Sequence, residues 1–109
     1  MIRTKITASS GNVYADLGFQ NPSEHALKAE LVRRITKALK AQSLTQAEAA
    51  KTLAIGQPDV SKMLSGQFRQ FSVERLMRFL VALGHDVKIV VEPARAAKAG
   101  AAQILVAGE

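Results

Sequence analysis

The side chains best suited to chemistry lie between Thr45 and Arg69. Gln57, Ser61 and Lys62 recur four and five residues apart, interleaved with Val60, Met63 and Leu64. On a helix turning roughly 100° per residue, that spacing puts an amide, a hydroxyl and an ammonium on one side and the apolar groups on the other. A glutamine amide both donates and accepts, so it can match a paired donor and acceptor on a flat edge. A lysine and a hydroxyl suit anionic oxygens. Gln46, Ser65, Gln67 and Arg69 add donors on either side. The inventory fits a surface that recognises hydrogen-bonding patterns on a polyanion. It holds no nucleophile paired with a base. His25 and His85 have no second ligand at metal-site spacing, and cysteine is absent. No phosphate-binding loop, nucleophile elbow or clustered acid–base set occurs, so neither an enzyme, a cofactor nor a metal is expected.

Short helices must hold these groups. Asn21, Pro22 and Glu24 form a start signal, and Leu27, Leu31, Ile35, Ala38 and Leu39 then recur at helical spacing to about Ala41. Lys28, Arg33, Lys37 and Lys40 are expected elsewhere around that helix. Thr45 and Glu48 form a capping box for a helix from Gln46 to about Leu53. Ala54, Ile55 and Gly56 read as a tight turn. Gln57, Pro58 and Asp59 open a third helix that stops near Ser65 and Gly66. After a polar connection over residues 67–71, Ser72 caps a fourth helix with Val73, Leu76, Met77, Leu80 and Leu83 inward and Gly84 at its end. The β-branched run 87–91 predicts a strand, halted by Glu92 and Pro93, paired either with residues 13–17 or with its own copy. The domain reading is an N-terminal arm over 1–20 with a short extended piece, a helical domain over 21–92 that includes this strand, and an alanine-rich tail over 93–109.

The chain of 109 residues is 48% hydrophobic, enough for one core. Fifteen basic against nine acidic residues give a net charge of +6, which favours a polyanionic partner. Residues 1–10 mix Arg3 and Lys5 with isolated apolar groups, so no signal peptide is expected, and no apolar run is long enough to span a membrane. A soluble, cytoplasmic protein is the expectation.

Two short helices joined by a three-residue turn, with a longer helix on each side, form the unit that enters a DNA major groove. Ala49 and Ala50 supply the small residues its close crossing needs, Ile55 an apolar plug for the hinge, and Val60, Met63 and Leu64 the buried side of the second helix. The stretch Leu44-Thr-Gln-Ala-Glu-Ala-Ala-Lys-Thr-Leu-Ala-Ile-Gly-Gln-Pro-Asp-Val-Ser-Lys-Met-Leu-Ser-Gly66 closely resembles the lambda-repressor/Cro-like (XRE) helix-turn-helix family. Residues 12–18 and 71–91 resemble a compact subfamily that includes HigA-type antitoxins encoded beside RelE/HigB-like toxins. The resemblance covers about residues 12–93.

It implies a mainly α, lambda-repressor-like helix-turn-helix bundle of four to five helices with a short β element. It also implies a sequence-specific transcriptional repressor, binding a palindromic double-stranded DNA operator as a homodimer, and an autoregulatory antitoxin with a RelE/HigB-like toxin as further partner. The alternatives are a stand-alone or phage-derived repressor, or an interaction scaffold that binds no DNA. By position, Gln57, Pro58, Ser61 and Lys62 would face bases, Gln57 reading adenine through two hydrogen bonds. Gln46, Ser65, Gln67 and Arg69 would contact the DNA backbone. The chain departs from the family pattern at Ala54, where glycine usually opens the turn, so remodelling through Gly56 is expected. Asp59 would repel a phosphate and is expected to face backbone amides or a base edge. As rival readings, Arg33, Arg34, Lys37, Lys40, Arg75 and Arg78 suit an ordinary solvated face. Phe19, Phe68, Phe71 and Phe79 suit core or loop anchors.

Overall fold

Helix α1 (Pro22–Ala41) is the longest element, followed by α2 (Gln46–Leu53), α3 (Gln57–Leu64) and α4 (Val73–Ala82). The computed structural model describes residues 22–93 and 104–108. The cap expected at Asn21, the arm over 1–20 with its piece at 13–17, and Phe19 lie outside these. The chain forms two compact units, Lys28–Asp86 on the one hand and Met1–Leu27 with Val87–Glu109 on the other.

The unit Lys28–Asp86 is built on apolar stripes. Leu31, Val32, Ile35, Ala38 and Leu39 of α1 are buried, as are Ala49, Ala50 and Leu53 of α2. From α3, Val60 and Met63 have no exposed surface, and Leu76, Phe79, Leu80 and Leu83 close the core from α4 and its end. α2 packs on both α3 and α4. Each large side chain withdrawn from water contributes about 1.5–3 kcal/mol, and the 0%-exposed Ala49 lets the helices approach closely. The expected helix bounds hold. Ile55, in the turn, and Leu64, Val73 and Met77 are only half-buried.

The four helices among the described residues end in the same way. A residue in the left-handed region follows the last turn, its N–H donates to a carbonyl three residues back, and the next N–H donates to one five residues back. The pairs are Ser43 to Lys40 and Leu44 to Leu39, Ala54 to Lys51 and Ile55 to Ala50, Gly66 to Met63 and Gln67 to Lys62, and Gly84 to Val81 and His85 to Leu80. Glycine meets the demand at Gly66 and Gly84, with φ of 98° and 91°. Ala54 meets it with φ 57° and ψ 44°. The expected remodelling through Gly56 does not occur: Gly56 is ordinary extended backbone at φ −70° and ψ 149°, because α2 is already terminated by the Ala54 and Ile55 hydrogen bonds. The Cβ strain therefore stays at Ala54.

The unit that includes Val87–Glu109 corrects the β expectation. Among the described residues no strand forms over 87–91, and only Val90 takes part in a bridge. The partner expected within the chain, 13–17, lies outside the described residues, and among those described no second segment pairs with the run. Ile89 and Val91 are 56% and 73% exposed.

Replacing Ala54 with glycine should relieve the left-handed strain. Chemical denaturation is expected to show a gain of about 0.5–1 kcal/mol, reduced somewhat by the freer unfolded chain. An unchanged or lowered midpoint would mean that the turn is not strained at this residue.

Candidate nucleic-acid interface

The presented face of α3 follows from its wheel. With Gln57 set at zero and roughly 100° per residue, Ser61, Ser65, Pro58 and Lys62 fall at about 40°, 80°, 100° and 140° to one side, while Val60 and Met63 fall at about 60° and 120° to the other. The structure agrees with that arithmetic: Gln57, Pro58, Ser61, Lys62 and Ser65 are exposed, and Val60 and Met63 are fully buried. Pro58 occupies the first turn, where its missing N–H breaks no helical bond. Gly56 precedes the helix with its carbonyl accepting from Asp59 and Val60 N–H at 3.0 and 3.2 Å. The half-buried Asp59 turns back over this start, with Oδ2 3.9 Å from where a Cβ on Gly56 would stand. Its charge thus faces the positive end of the helix rather than the exposed arc.

α2 is fixed at its start by a complete capping box. Thr45 Oγ1 accepts from Glu48 N–H at 3.1 Å, and the Glu48 carboxylate accepts from Thr45 N–H at 2.9 Å. Hydrogen bonding to the carboxylate from Thr45, by its backbone N–H foremost and its side chain second, holds the Glu48 carboxyl below its ordinary range. Gln46 is the first residue of α2 and is exposed.

Beyond α3 the chain makes a β-turn over residues 68–71, with Phe71 N–H donating to the Phe68 carbonyl at 3.1 Å. Both phenylalanines are buried and serve as anchors, and Gln67 and Arg69 are exposed. Phe71 also meets Phe79 edge-to-face, with ring centroids 5.7 Å apart. Ser65 donates its hydroxyl to the Lys62 carbonyl at 3.0 Å, leaving its lone pairs outward. The eight residues expected to face a polyanion are thus all exposed, on three successive stretches of chain.

Sequence reasoning missed Lys28. It was expected on the solvated side of α1, yet it is 7% exposed and its Nζ donates to the Arg69 carbonyl at 3.2 Å. The signal was present in the spacing: Lys28 stands three, four and seven residues before Leu31, Val32 and Ile35, on the apolar stripe itself.

The cations are not equally available. Arg33 and Arg34 both bind Glu30, at 2.7 and 2.8 Å, and Arg78 binds Glu74 at 2.8 Å. Arg75 lies over the Phe71 and Phe79 rings, at 5.2 and 5.7 Å from their centroids. Lys62 and Arg69 carry no ion pair among the described residues. Among those residues no group of three or more His, Asp or Glu could hold a metal, and no helix is long and apolar enough to cross a membrane.

Hydrogen bonding from Arg33 lowers the Glu30 carboxyl from 4.5 to about 2; partial burial opposes this, and Arg34 adds to it. A carboxyl lowered by folding stabilises fully above its unfolded value, and loses that contribution as pH falls through its folded value. Glu30→Gln should therefore flatten the acid limb of stability between pH 4.5 and 2, read as denaturation midpoints against pH. A limb identical to wild type would mean that the cluster contributes nothing.

Comparison with known proteins gives the same picture over most of the chain. A helix-turn-helix domain family matches residues 13–92. A solved structure assigned to the XRE family of transcriptional regulators superposes with a TM-score of 0.73 at 36% identity, covering 82% of this chain and all of that one. No curated protein matches the sequence.

Proposed function

This chain belongs to the XRE-type helix-turn-helix family, and on that premise we propose that it is a transcriptional repressor that binds a palindromic DNA operator as a homodimer. The observation that carries the reading is the exposed polar arc of α3, opposite two residues with no exposed surface. A helix so anchored presents Gln57, Pro58, Ser61 and Lys62 to the base edges of a major groove. Gln57 offers the donor and acceptor that match adenine. Gln46, Ser65, Gln67 and Arg69 lie on the flanking stretches and suit phosphates, whose contacts fix register and give salt-dependent affinity. A pure interaction scaffold would have no need to keep amides and unpaired cations on this arc.

The finer reading is an antitoxin that represses its own operon. Its support is the resemblance of residues 12–18 and 71–91 to HigA-type proteins. Co-expression with the product of an adjacent RelE/HigB-like reading frame should give a stable complex. Failure to form one returns the chain to the stand-alone repressor.

Direct readout is tested at Gln57. Gln57→Ala should cost about 1–3 kcal/mol at the cognate site and leave random duplex binding intact, whereas Lys62→Ala and Arg69→Ala should each lower the salt slope by up to about one unit. Equal loss on cognate and random duplexes would remove Gln57 from the base-reading set.

Dimerisation is expected because one such unit reads a single half-site, and two must stand about 34 Å apart. The exposed Ile89 and Val91 supply apolar surface that a second copy can cover. Ile89→Asp with Val91→Asp should shift the protein to a monomer in sedimentation and abolish binding to the full palindrome. A double variant that stays dimeric would place the interface elsewhere.

A further inference from the structure

Lys28, 7% exposed, has no part in the DNA contacts proposed above. Lysine is almost never buried without a partner, because its ammonium loses hydration that only another acceptor can replace. If α1 needed only apolar bulk at this register, leucine or methionine would supply it without that cost. What lysine adds is a donor at the end of a long stem, and that donor reaches the Arg69 carbonyl from a residue 41 positions away.

Arg69 is the second residue of the turn over 68–71. The carbonyl held by Lys28 therefore belongs to the peptide between Arg69 and Gln70, the plane whose orientation distinguishes one turn type from another. Rotating that plane would force a positive φ on Gln70, a conformation that among the described non-glycine residues only Ser43 and Ala54 adopt. Two constraints thus act on one peptide. The peptide is trans, so a carbonyl drawn toward Lys28 sends the Gln70 N–H the opposite way. Gln70 is exposed and its N–H has no acceptor among the described residues.

We infer that Lys28 is a positioning residue for the DNA-backbone contacts: by holding the Arg69 carbonyl inward, it holds the Gln70 N–H and the Arg69 side chain outward toward phosphate. The inference rests on the DNA-binding reading above and names a donor, the Gln70 N–H, that side-chain reasoning does not supply. Lys28 itself touches no DNA. It acts through the turn.

The test compares Lys28→Met, which keeps the stem and loses the donor, with Lys28→Arg, which keeps charge and donor. In the absence of DNA, the Phe71 amide, protected by the turn bond, should exchange about tenfold faster in Lys28→Met while the Ile35 and Leu76 amides keep wild-type rates. On duplex DNA, Lys28→Met should bind about three- to tenfold more weakly whatever the sequence, with the salt slope lowered by about one unit. Lys28→Arg should retain the slope. The loss should also be non-additive with Arg69→Ala, since Lys28→Met already removes the Arg69 contact along with that of the Gln70 N–H, whereas a simple loss of distant charge would add. If Lys28→Met does not fold, Lys28→Gln, whose amide is too short to reach, is read in its place. Faster exchange with an unchanged slope, or full additivity with Arg69→Ala, overturns the positioning role and leaves the DNA-binding reading standing. If the wild-type protein itself binds no duplex in a salt-dependent way, that reading fails and this one with it, while the exchange data still show whether Lys28 holds the turn.

Discussion

The complete burial of Val60 and Met63 is the constraint on which the rest depends. An eight-residue helix has barely two turns and would not persist in water alone, because its nucleation cost is not recovered over so few hydrogen bonds. α3 exists because its inner side is gripped by the core, and the same grip fixes its rotation about its own axis. A slip of one residue would turn the helix by roughly 100° and carry either Gln57 and Ser61 or Pro58 and Lys62 off the exposed arc, depending on its direction. Packing and recognition are therefore one requirement. The side chains that would touch DNA owe their direction to two that never can.

The grip works only if the chain enters and leaves α3 at fixed points, which explains the repeated helix ending. α2 stops at Ala54 and α3 at Gly66 through the same pair of hydrogen bonds, each turning the chain sharply without a long loop. Glycine accepts this conformation freely at Gly66 and Gly84, whereas Ala54 adopts it with a Cβ in the way. The tolerance of alanine there shows that the tertiary constraint outweighs a local preference of order 1 kcal/mol. The far ends of the core are tied by side chains in place of turns, with Gln42 Nε2 donating to the Leu83 carbonyl at 2.7 Å and Lys28 to that of Arg69.

What could be read from the sequence follows the same division. Helix bounds were legible because local chemistry sets them: the Thr45–Glu48 box, Pro58 in a first turn and the glycines after α3 and α4 each act within a few residues. The exposed arc of α3 was legible because a helical period leaves little choice once Val60 and Met63 go inward. The fate of Lys28 was hidden by treating charge as a synonym for solvent. Its position on the stripe with Leu31 and Ile35 already placed its stem inside, but the acceptor for its ammonium lies 41 residues away, and no local pattern announces such a partner. The strand expected over 87–91, of which the described residues show only the bridge at Val90, was hard to read for the converse reason. β-Branched composition is local, but a strand is a relation between two segments, and composition cannot supply the second.

Charge shows why the overall composition pointed the right way with too little resolution. A net charge of +6 says that a polyanion is welcome somewhere on the surface. It does not say where, since Coulomb attraction between exposed groups is screened within about 10 Å at ordinary salt. Location comes from which cations are already committed. Arg33 and Arg34 of α1 share Glu30, and Arg78 of α4 takes Glu74, so those three cations are already engaged. Arg75 rests on two aromatic rings. Lys37, Lys40, Lys51, Lys62 and Arg69 lack such pairs among the described residues, and of these Lys62 lies on α3 and Arg69 in the stretch that follows it. On the proposed reading, the surplus that matters is the local one beside the helix whose rotation the core has fixed, where a modest number of unpaired cations would set affinity and the amide of Gln57 would set sequence.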